Sequence, residues 1–480
     1  MSFLKKSTFL LIGGSVEKIA DLTYYARDNI ADYETITTLP TSDAEYINSV
    51  IISDMTNAFR GCSSLTSLDA SLWNTSQCTN MDYMLYNCSS LTSLDLSNLD
   101  TSNVTNLQYS FYGCSGLTDV DLSGLDVSKV TTCSNMFRGC TSLTDLDLTG
   151  WNLSNKCTTL TSMFYNCSNV LAIDVTGWDT SNVAGMSSMF RSCTKLTTLD
   201  PSGWDVSKCT SLSSIFYGCS ELTSLDLSDW TNTVSTSLAY MFYNCTNLGN
   251  VDISGIIRNS TKLNTVAYMF NGCRAMTYID VSGFTQTNVT TMANMFNNCS
   301  NVVTIDCTNW VCSGVSKLTT MQSAFQNCSK LVNIDVSSID TSKVTTFYYT
   351  FYACSALVSL DLSAWDTSSA TNMNYMFYND NNMKVLDISN FTSSANTTMT
   401  YMLRMTTLEY LIIGSDTFKF AMNDSNCGGL NTTCKILVPN ALLSTYQNAT
   451  NWSSRASQFD AIENYTITRS NGRVTVTPNS

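Results

Sequence analysis

Cysteine and aspartate are the residues whose type and spacing suggest chemistry, because both recur along this sequence at a nearly constant interval. Cysteine occurs 20 times and histidine does not occur at all. The absence of histidine removes the commonest general base and metal ligand and excludes Ser-His and Cys-His catalytic pairs. The chemistry that remains is thiol packing, disulfide formation and cation binding by carboxylates.

The motif Phe-x-x-Cys recurs at intervals of 26 to 29 residues, and two later units keep the spacing without the cysteine. Fourteen units run from about Ser53 to Ile413. A fixed period of this length indicates a solenoid, in which each unit buries its apolar face against its neighbours. The cysteines of the motif are Cys62, Cys88, Cys114, Cys140, Cys167, Cys193, Cys219, Cys245, Cys273, Cys299, Cys328 and Cys354.

Most of the cysteines are predicted to be buried thiols rather than metal ligands or disulfides. Five more fall on apolar positions of the repeat, so that 17 of the 20 occupy predicted core positions. Free cysteine packs as a small apolar residue. The five are Cys78, Cys133, Cys157, Cys209 and Cys307. Cys427 and Cys434 lie outside the repeat, where a disulfide between them stays open.

One unit, TSKVTTFYYTFYACSALVSLDLSA at 341–364, shows the elements that must position these residues. Phe347 and Phe351 are spaced as i and i+4, which predicts about two turns of helix between Val344 and Phe351. The position two after the Phe is Gly or Asn in most units, a type that tolerates left-handed backbone and ends a helix. The alternating Leu-Asp-Leu pattern that follows predicts a short strand.

The predicted fold class is an α/β repeat solenoid, a leucine-rich-repeat-like stack of about 14 coils of ~26 residues, each with a short strand and a short helix. Residues 1–52 are predicted to be an N-terminal cap or attachment segment, and 53–413 the solenoid. Residues 414–480 are predicted to form a C-terminal cap. It contains a helix from about Asn440 to Asn448 and a hairpin with a type I′ turn at Asn471-Gly472.

The strand aspartates are predicted to point outward, because the residues on either side belong to the core. Like charges ~4.8 Å apart repel by about 0.9 kcal/mol even at the dielectric constant of water, so something must offset them. Hydrogen bonds from hydroxyls or loop amides are the structural explanation, and recognition of a partner or a row of calcium sites stay as alternatives. This polar ladder is Asp95, Asp121, Asp147, Asp174, Asp200, Asp226 and Asp252.

The position directly after the Phe is the sharper candidate for binding. It lies between a buried Phe and a turn residue, so we expect its side chain to be at least partly exposed. Tyr and Arg, which fill most of these positions, are enriched at binding hot spots. The alternative is that they cover the hydrophobic edge between coils. The candidate binding residues are Tyr86, Tyr112, Arg138, Tyr165, Arg191, Tyr217, Tyr243, Tyr352 and Tyr378.

The net charge of −14 argues against nucleic acid and against an anionic membrane surface as partners. No segment approaches the ~20 apolar residues of a membrane span. The start, MSFLKKSTFLLIGGSVEKIA, has only a marginal apolar run before Glu17 and Lys18, so we interpret it as mature sequence without a signal peptide.

The recurring pattern TSNVTNMxxMFxGCSSLTSLDLSxWDTS resembles the BspA-like leucine-rich repeat of bacterial surface proteins and of some phage and protist proteins. The resemblance covers about three quarters of the chain. It implies a solenoid on a cell or particle surface that adheres to host or matrix molecules.

The sequence thus favours a non-catalytic, surface-exposed protein that binds a protein or glycan and needs no cofactor or metal. The interpretation without a signal peptide favours a phage virion fibre, decoration or receptor-binding protein over a bacterial cell-surface adhesin. A purely structural, calcium-tuned or ice-binding solenoid is the second alternative. Homo-oligomers and virion assembly stay open. A glycosidase is disfavoured because the aspartates are evenly spread, whereas that chemistry needs two converging carboxylates.

Overall fold

The computed structural model describes residues 52–479, with gaps at 69, 71–72, 149, 152, 259, 285–286, 311–315, 395 and 416–428. It also gives the backbone of the antiparallel strands β1 (Thr8–Ile12) and β2 (Ser15–Ile19). Apart from these two strands and Ile52, the predicted N-terminal cap at 1–52 lies outside the described residues, as does Cys427 of the possible disulfide.

The chain forms two compact units, Met1–Thr231 and Asn232–Ser480. Each unit stacks successive coils in parallel, and the chain makes about 14 turns of solenoid. The predicted leucine-rich-repeat-like solenoid is therefore confirmed.

Backbone hydrogen bonds between coils alternate with bonds inside a coil. The N–H groups of Leu107, Tyr109 and Phe111 donate to carbonyls 25 residues later in the next coil, over 3.1, 3.0 and 2.9 Å. The N–H groups between them donate backward by three residues, as from Ser110 to Leu107 and from Tyr112 to Tyr109. Alternate backbone N–H groups of this segment therefore donate to a carbonyl of the same coil and to a carbonyl of the next coil.

The predicted helix in each coil was wrong, and consecutive tight turns take its place. In the coil at 341–364, Tyr349 and Ala353 have φ angles of 59° and 58°, which a right-handed helix does not tolerate. Phe347 and Phe351 donate their N–H groups to Asn372 and Met376 of the next coil rather than to carbonyls four residues back. The one helix described within the repeats is α1 (Ser254–Ile257), which follows the strand segment of its coil.

The predicted strand segment is extended in the coils, and in several of them it is a regular parallel strand. Outside the C-terminal coils the middle residue is buried and the flanking residues face out, as expected from the alternation of side chains. Aligned coils pair in register, so that Asp95 lies beside Asp121. The strands are β3 (Ser93–Asp95), β4 (Asp119–Asp121), β5 (Tyr278–Asp280), β6 (Thr304–Asp306), β7 (Ser359–Asp361), β8 (Val385–Asp387), β9 (Tyr410–Ile412), β10 (Lys435–Val438) and β11 (Phe459–Ala461).

Stacked phenylalanines and thiols fill the interior of the coils. The rings of Phe111 and Phe137 stack at 5.2 Å between centroids, and the same stacking continues in later coils. The predicted burial of the 17 repeat cysteines is confirmed. The Cys114 thiol donates to the Leu85 carbonyl over 3.1 Å, and the Cys140 thiol donates to the Phe111 carbonyl over the same distance. The thiols therefore pack as core and also bond neighbouring coils together.

The C-terminal residues add a helix and a hairpin to the second unit. The helix α2 (Asn440–Gln447) precedes a 3-10 segment at Thr450–Gln458, and a short one follows at Ile462–Asn464. The predicted hairpin is confirmed as β12 (Tyr465–Ser470) and β13 (Arg473–Pro478), with both turn residues at positive φ. It packs on β7 and β8. Its turn reaches the coil before β7, where a Cβ on Gly472 would lie 1.9 Å from the Ile334 carbonyl oxygen.

Candidate functional site: the tyrosine–arginine column

The turn segment sets the exposure of the residue after each Phe. In one coil Phe111 is buried, Tyr112 is half-buried, and Gly113 follows with a φ of 72°. Glycine or asparagine suits this position because ordinary side chains are strained at positive φ. The Gly113 N–H then donates to Arg138 O in the next coil over 2.8 Å, which holds the two column residues side by side.

In the first unit these side chains form one continuous stack, which we call the tyrosine–arginine column. Tyr86 and Tyr112 stack with centroids 4.6 Å apart and planes 8° apart. The Arg138 guanidinium lies over the rings of Tyr112 and Tyr165, 5.6 and 4.3 Å from their centroids. The stack continues through Arg191, which lies 5.5 Å from the Tyr165 centroid and 3.7 Å from that of Tyr217. Coils ~4.8 Å apart bring flat side chains to stacking distance.

In the second unit, fewer of the predicted binding residues stack on one another. Tyr352 and Tyr378 stack at 5.3 Å with planes 3° apart. Tyr243 contacts Tyr240 and Tyr268, with ring centroids 5.7 and 6.2 Å apart. The equivalent position is Asn271, Asn297 and Gln326 in the next three coils, which replaces the aromatic stack with amides.

A second column of aromatic residues, two positions before the Phe, was missed from the sequence. Tyr83 and Tyr109 stack at 4.6 Å, and Tyr109 also contacts Tyr112 of the first column at 5.8 Å. These tyrosines adopt positive φ, which is unusual for an aromatic residue. The repeat of Tyr, Asn or Ser at this position was the available signal. The tyrosines of this second column are Tyr83, Tyr109, Tyr240, Tyr268, Tyr349, Tyr375 and Tyr401.

The arginines of the column bond to neutral groups. Arg138 donates to Asn135 Oδ1 over 3.2 Å, and Arg191 donates to the Tyr165 hydroxyl and to Ser214 Oγ over 3.3 Å each. Among the described residues, no carboxylate oxygen lies within 4.0 Å of either guanidinium. Arg258 and Arg469, which lie elsewhere, each form an ion pair with an aspartate.

The strand-face aspartates accept hydrogen bonds from their own coil. The Oδ1 atom of Asp95 accepts from the Ser97 N–H over 2.9 Å and from the Ser97 hydroxyl over 2.6 Å. These bonds hold the pKa of Asp95 below its usual value. Serine or threonine backbone N–H groups bond in the same way to Asp121, Asp174, Asp200, Asp226 and Asp252. Asp147 is exposed on the same face.

The last aspartate of this face is buried by the C-terminal hairpin. Asp387 has no exposed surface, and its Oδ2 accepts from Arg469 Nε over 2.7 Å and Nη2 over 2.6 Å. Val474 of the hairpin packs with Val385, Ile412 and Leu437 in one apolar cluster. The strand face is thus covered at Asp387, whereas the described ladder aspartates of the first unit are exposed: Asp95, Asp121, Asp147, Asp174, Asp200 and Asp226.

No group of three or more Cys, Asp or Glu side chains among the described residues is arranged to hold a metal ion. No helix in that part of the chain has the length and apolar character needed to cross a membrane.

Solved structures with detectable similarity include leucine-rich repeat proteins. The functional domain of InlJ from Listeria monocytogenes, which includes a cysteine ladder, is 15% identical, with 88% of this chain and 75% of that chain covered and a TM-score of 0.19. A leucine-rich repeat protein of Leptospira interrogans is 13% identical, with 85% and 90% covered and a TM-score of 0.24. At these TM-scores the likenesses carry no argument about function, and the stacking of the coils is what establishes the solenoid.

No curated protein matches this chain. A family model described as "Mycoplasma protein of unknown function, DUF285" matches residues 53–172, 158–278, 250–323 and 290–409. These four matches together span the repeat coils.

Proposed function

The chain belongs to the family described as Mycoplasma protein of unknown function, DUF285, and we propose that it is a non-catalytic protein that binds another macromolecule. The observation that carries the proposal is the tyrosine–arginine column of the first unit. Six aromatic and cationic side chains, from Tyr86 to Tyr217, line up half-buried without interruption. Stacking holds them in fixed positions, which lowers the entropy lost when they bind a partner.

The setting of this function is a cell or particle surface, as the BspA-like resemblance of the repeat implies. A phage virion fibre, decoration or receptor-binding protein is the favoured form, and a bacterial adhesin is the alternative. The division into segments 1–52, 53–413 and 414–480 belongs to the same proposal, with the outer two as caps. Detection of the protein in purified particles, as opposed to a membrane and wall fraction, distinguishes the two forms.

The test is capture of surface components by the full chain and by a column variant. The column variant carries Tyr112→Ala, Arg138→Ala, Tyr165→Ala and Arg191→Ala. The control carries four changes on the strand face: Asp95→Asn, Asp121→Asn, Asp200→Asn and Asp226→Asn. We expect a partner that the control retains and the column variant loses by about tenfold or more, which corresponds to ~1.4 kcal/mol.

Circular dichroism and thermal melting establish that each variant is folded, and the captured partner is then purified and its Kd remeasured. Equal capture by the wild type and the column variant would reject the column as the binding surface. Loss with the strand-face control alone would transfer the proposal to the aspartates.

A further inference from the structure

The outward groups of the column in the first unit are suited to anions. The ring faces of Tyr112 and Tyr165 are turned on both sides toward neighbouring side chains within the stack. What remains for a ligand is the ring edges, which carry the positive part of the aromatic quadrupole, together with phenol and guanidinium hydrogens. Because the faces are occupied, a sugar ring or base cannot stack on them. The column instead offers positive edges and hydrogen-bond donors.

Two guanidinium groups at fixed spacing strengthen this character. Arg138 and Arg191 lie two coils apart, which is about 10 Å at ~4.8 Å per coil. Neither is neutralised by a described carboxylate, although the chain has an excess of 14 negative charges and pairs Arg258 and Arg469 with aspartates. The column is therefore a cationic row within an acidic protein, and an anionic ligand complements it.

The backbone around the column restricts the kind of anion. The N–H groups of Tyr112 and Gly113 donate to Tyr109 and Arg138, and the Arg138 and Gly139 N–H groups are engaged in the same way. Because these backbone N–H groups are already bonded, an acidic peptide could not bind here by adding a β-strand. A ligand recognised only through charged substituents along its length fits this surface better.

We propose that the tyrosine–arginine column of the first unit binds an anionic polysaccharide. Its carboxylate or sulfate groups accept hydrogen bonds from the Arg138 and Arg191 guanidinium groups. The Tyr165 hydroxyl, which accepts from Arg191 Nε, donates its hydrogen to a neighbouring oxygen of the ligand. This inference rests on the proposed function, because it names the partner class of that same surface.

The experiment measures binding of the full chain to four immobilised probes at increasing salt. The probes are heparin as a sulfated polysaccharide, hyaluronan as a carboxylated one, dextran as a neutral one and polyglutamate as an acidic peptide. We expect binding to heparin or hyaluronan that weakens as salt rises, because partly exposed charges are screened. Dextran should not bind.

Two double variants with the same net charge locate the contact. Arg138→Gln with Arg191→Gln removes the two guanidinium charges but keeps long polar side chains in the stack. Lys262→Gln with Arg274→Gln removes two exposed charges away from the column. We expect the first pair to weaken polysaccharide binding by about tenfold or more, ~1.4 kcal/mol, and the second to change it less than twofold.

Three outcomes overturn the inference: equal loss with both pairs, no binding to either anionic polysaccharide, or tighter binding to polyglutamate. In each case the proposed function is judged separately, since its own test uses the partner captured from surface components. Failure of the polysaccharide assay together with partner loss in the column variant would leave the binding surface in place with a different partner class.

Discussion

The cysteines of the Phe-x-x-Cys motif form a row of buried thiols, one per coil, which we call the thiol ladder, and Asp380 carries a carboxyl group at the next position of this row. It occupies the cysteine position of its coil and is fully buried. Its Oδ1 accepts the Cys354 N–H over 2.7 Å, while its Oδ2 has no hydrogen-bond partner. Burial raises the pKa of this carboxyl well above its usual value. The neutral acid is therefore the form that this core tolerates.

Replacement of Asp380 by Asn should make the second unit more stable at neutral pH than the wild type. The pKa of Asp380 is higher in the folded than in the unfolded chain. The protonated carboxyl therefore contributes fully to the free energy of unfolding below the unfolded pKa, and this contribution is lost as pH rises toward the folded pKa. The loss is ~1.4 kcal/mol per pH unit between these two pKa values. Chemical denaturation of both proteins from pH 4 to pH 8 measures it.

Asp95→Asn provides the contrast for this measurement, because the pKa of Asp95 is lowered in the fold. The contribution of Asp95 is present above the unfolded pKa and is lost as pH falls through the folded one. If the free energy of unfolding of the wild type and of Asp380→Asn changed with pH in the same way, burial would not be keeping Asp380 in its protonated form.

At the scale of elements, the distance between a turn and the previous coil decides whether a position in that turn must be glycine. Gly124 and Gly203 occupy the same position after the strand in two coils of the first unit. A Cβ at Gly124 would lie 2.0 Å from the Ser97 carbonyl oxygen, whereas a Cβ at Gly203 would meet nothing within 4 Å. The requirement for glycine is therefore local to one contact and is not a property of the repeat.

Gly124→Ala should destabilise the first unit by about 1–3 kcal/mol, because the backbone carbonyl of Ser97 must move. Gly203→Ala, the matched control, should change the free energy of unfolding by less than about 0.5 kcal/mol. Thermal and urea denaturation compare the two variants. Similar effects from both would contradict the close approach at Gly124.

An ion pair between the buried Asp387 and the partly exposed Arg469 joins the C-terminal hairpin to the strand face of the second unit. Arg469→Met should release the hairpin or lower stability by about 3–5 kcal/mol, because Asp387 would remain buried without its partner. The double variant Asp387→Asn with Arg469→Met should recover much of the loss. Hydrogen exchange of Val385 and Val474 reports the docking, and fast exchange in the wild type would argue against it.

At the scale of the whole molecule, the repeat places every row of side chains once per coil and so produces long ladders. The thiol ladder bonds coils through the interior, and the tyrosine–arginine column stacks along a partly exposed edge. The strand-face aspartates are partnered by hydroxyls and amides of their own coils. These hydrogen bonds stabilise the charged carboxylates, which favours the structural explanation of the ladder over the calcium-tuned alternative.

Calcium should therefore have little effect on the intact chain. We expect the thermal unfolding midpoint to be the same in calcium and in EDTA, since one carboxylate per coil supplies few of the 6–8 oxygen ligands that calcium takes. Differential scanning calorimetry makes the comparison, with magnesium as the ionic-strength control. A rise in the midpoint with calcium but not with magnesium would support calcium sites on the strand face.

The sequence alone was sufficient for the period, the burial of the repeat cysteines, the outward aspartates of the strands and the Asn471-Gly472 hairpin. These features follow from which side chains share a face, and periodicity reports that directly. The sequence did not determine whether Phe347 and Phe351 belong to a helix or to turns, because the same apolar spacing suits both. Only the tertiary structure decided this, since the N–H groups of these residues bond to the next coil. It alone also brought Arg138 between two tyrosines and buried Asp387 beneath Arg469, because these contacts depend on the stacking of coils and on residues 82 positions apart.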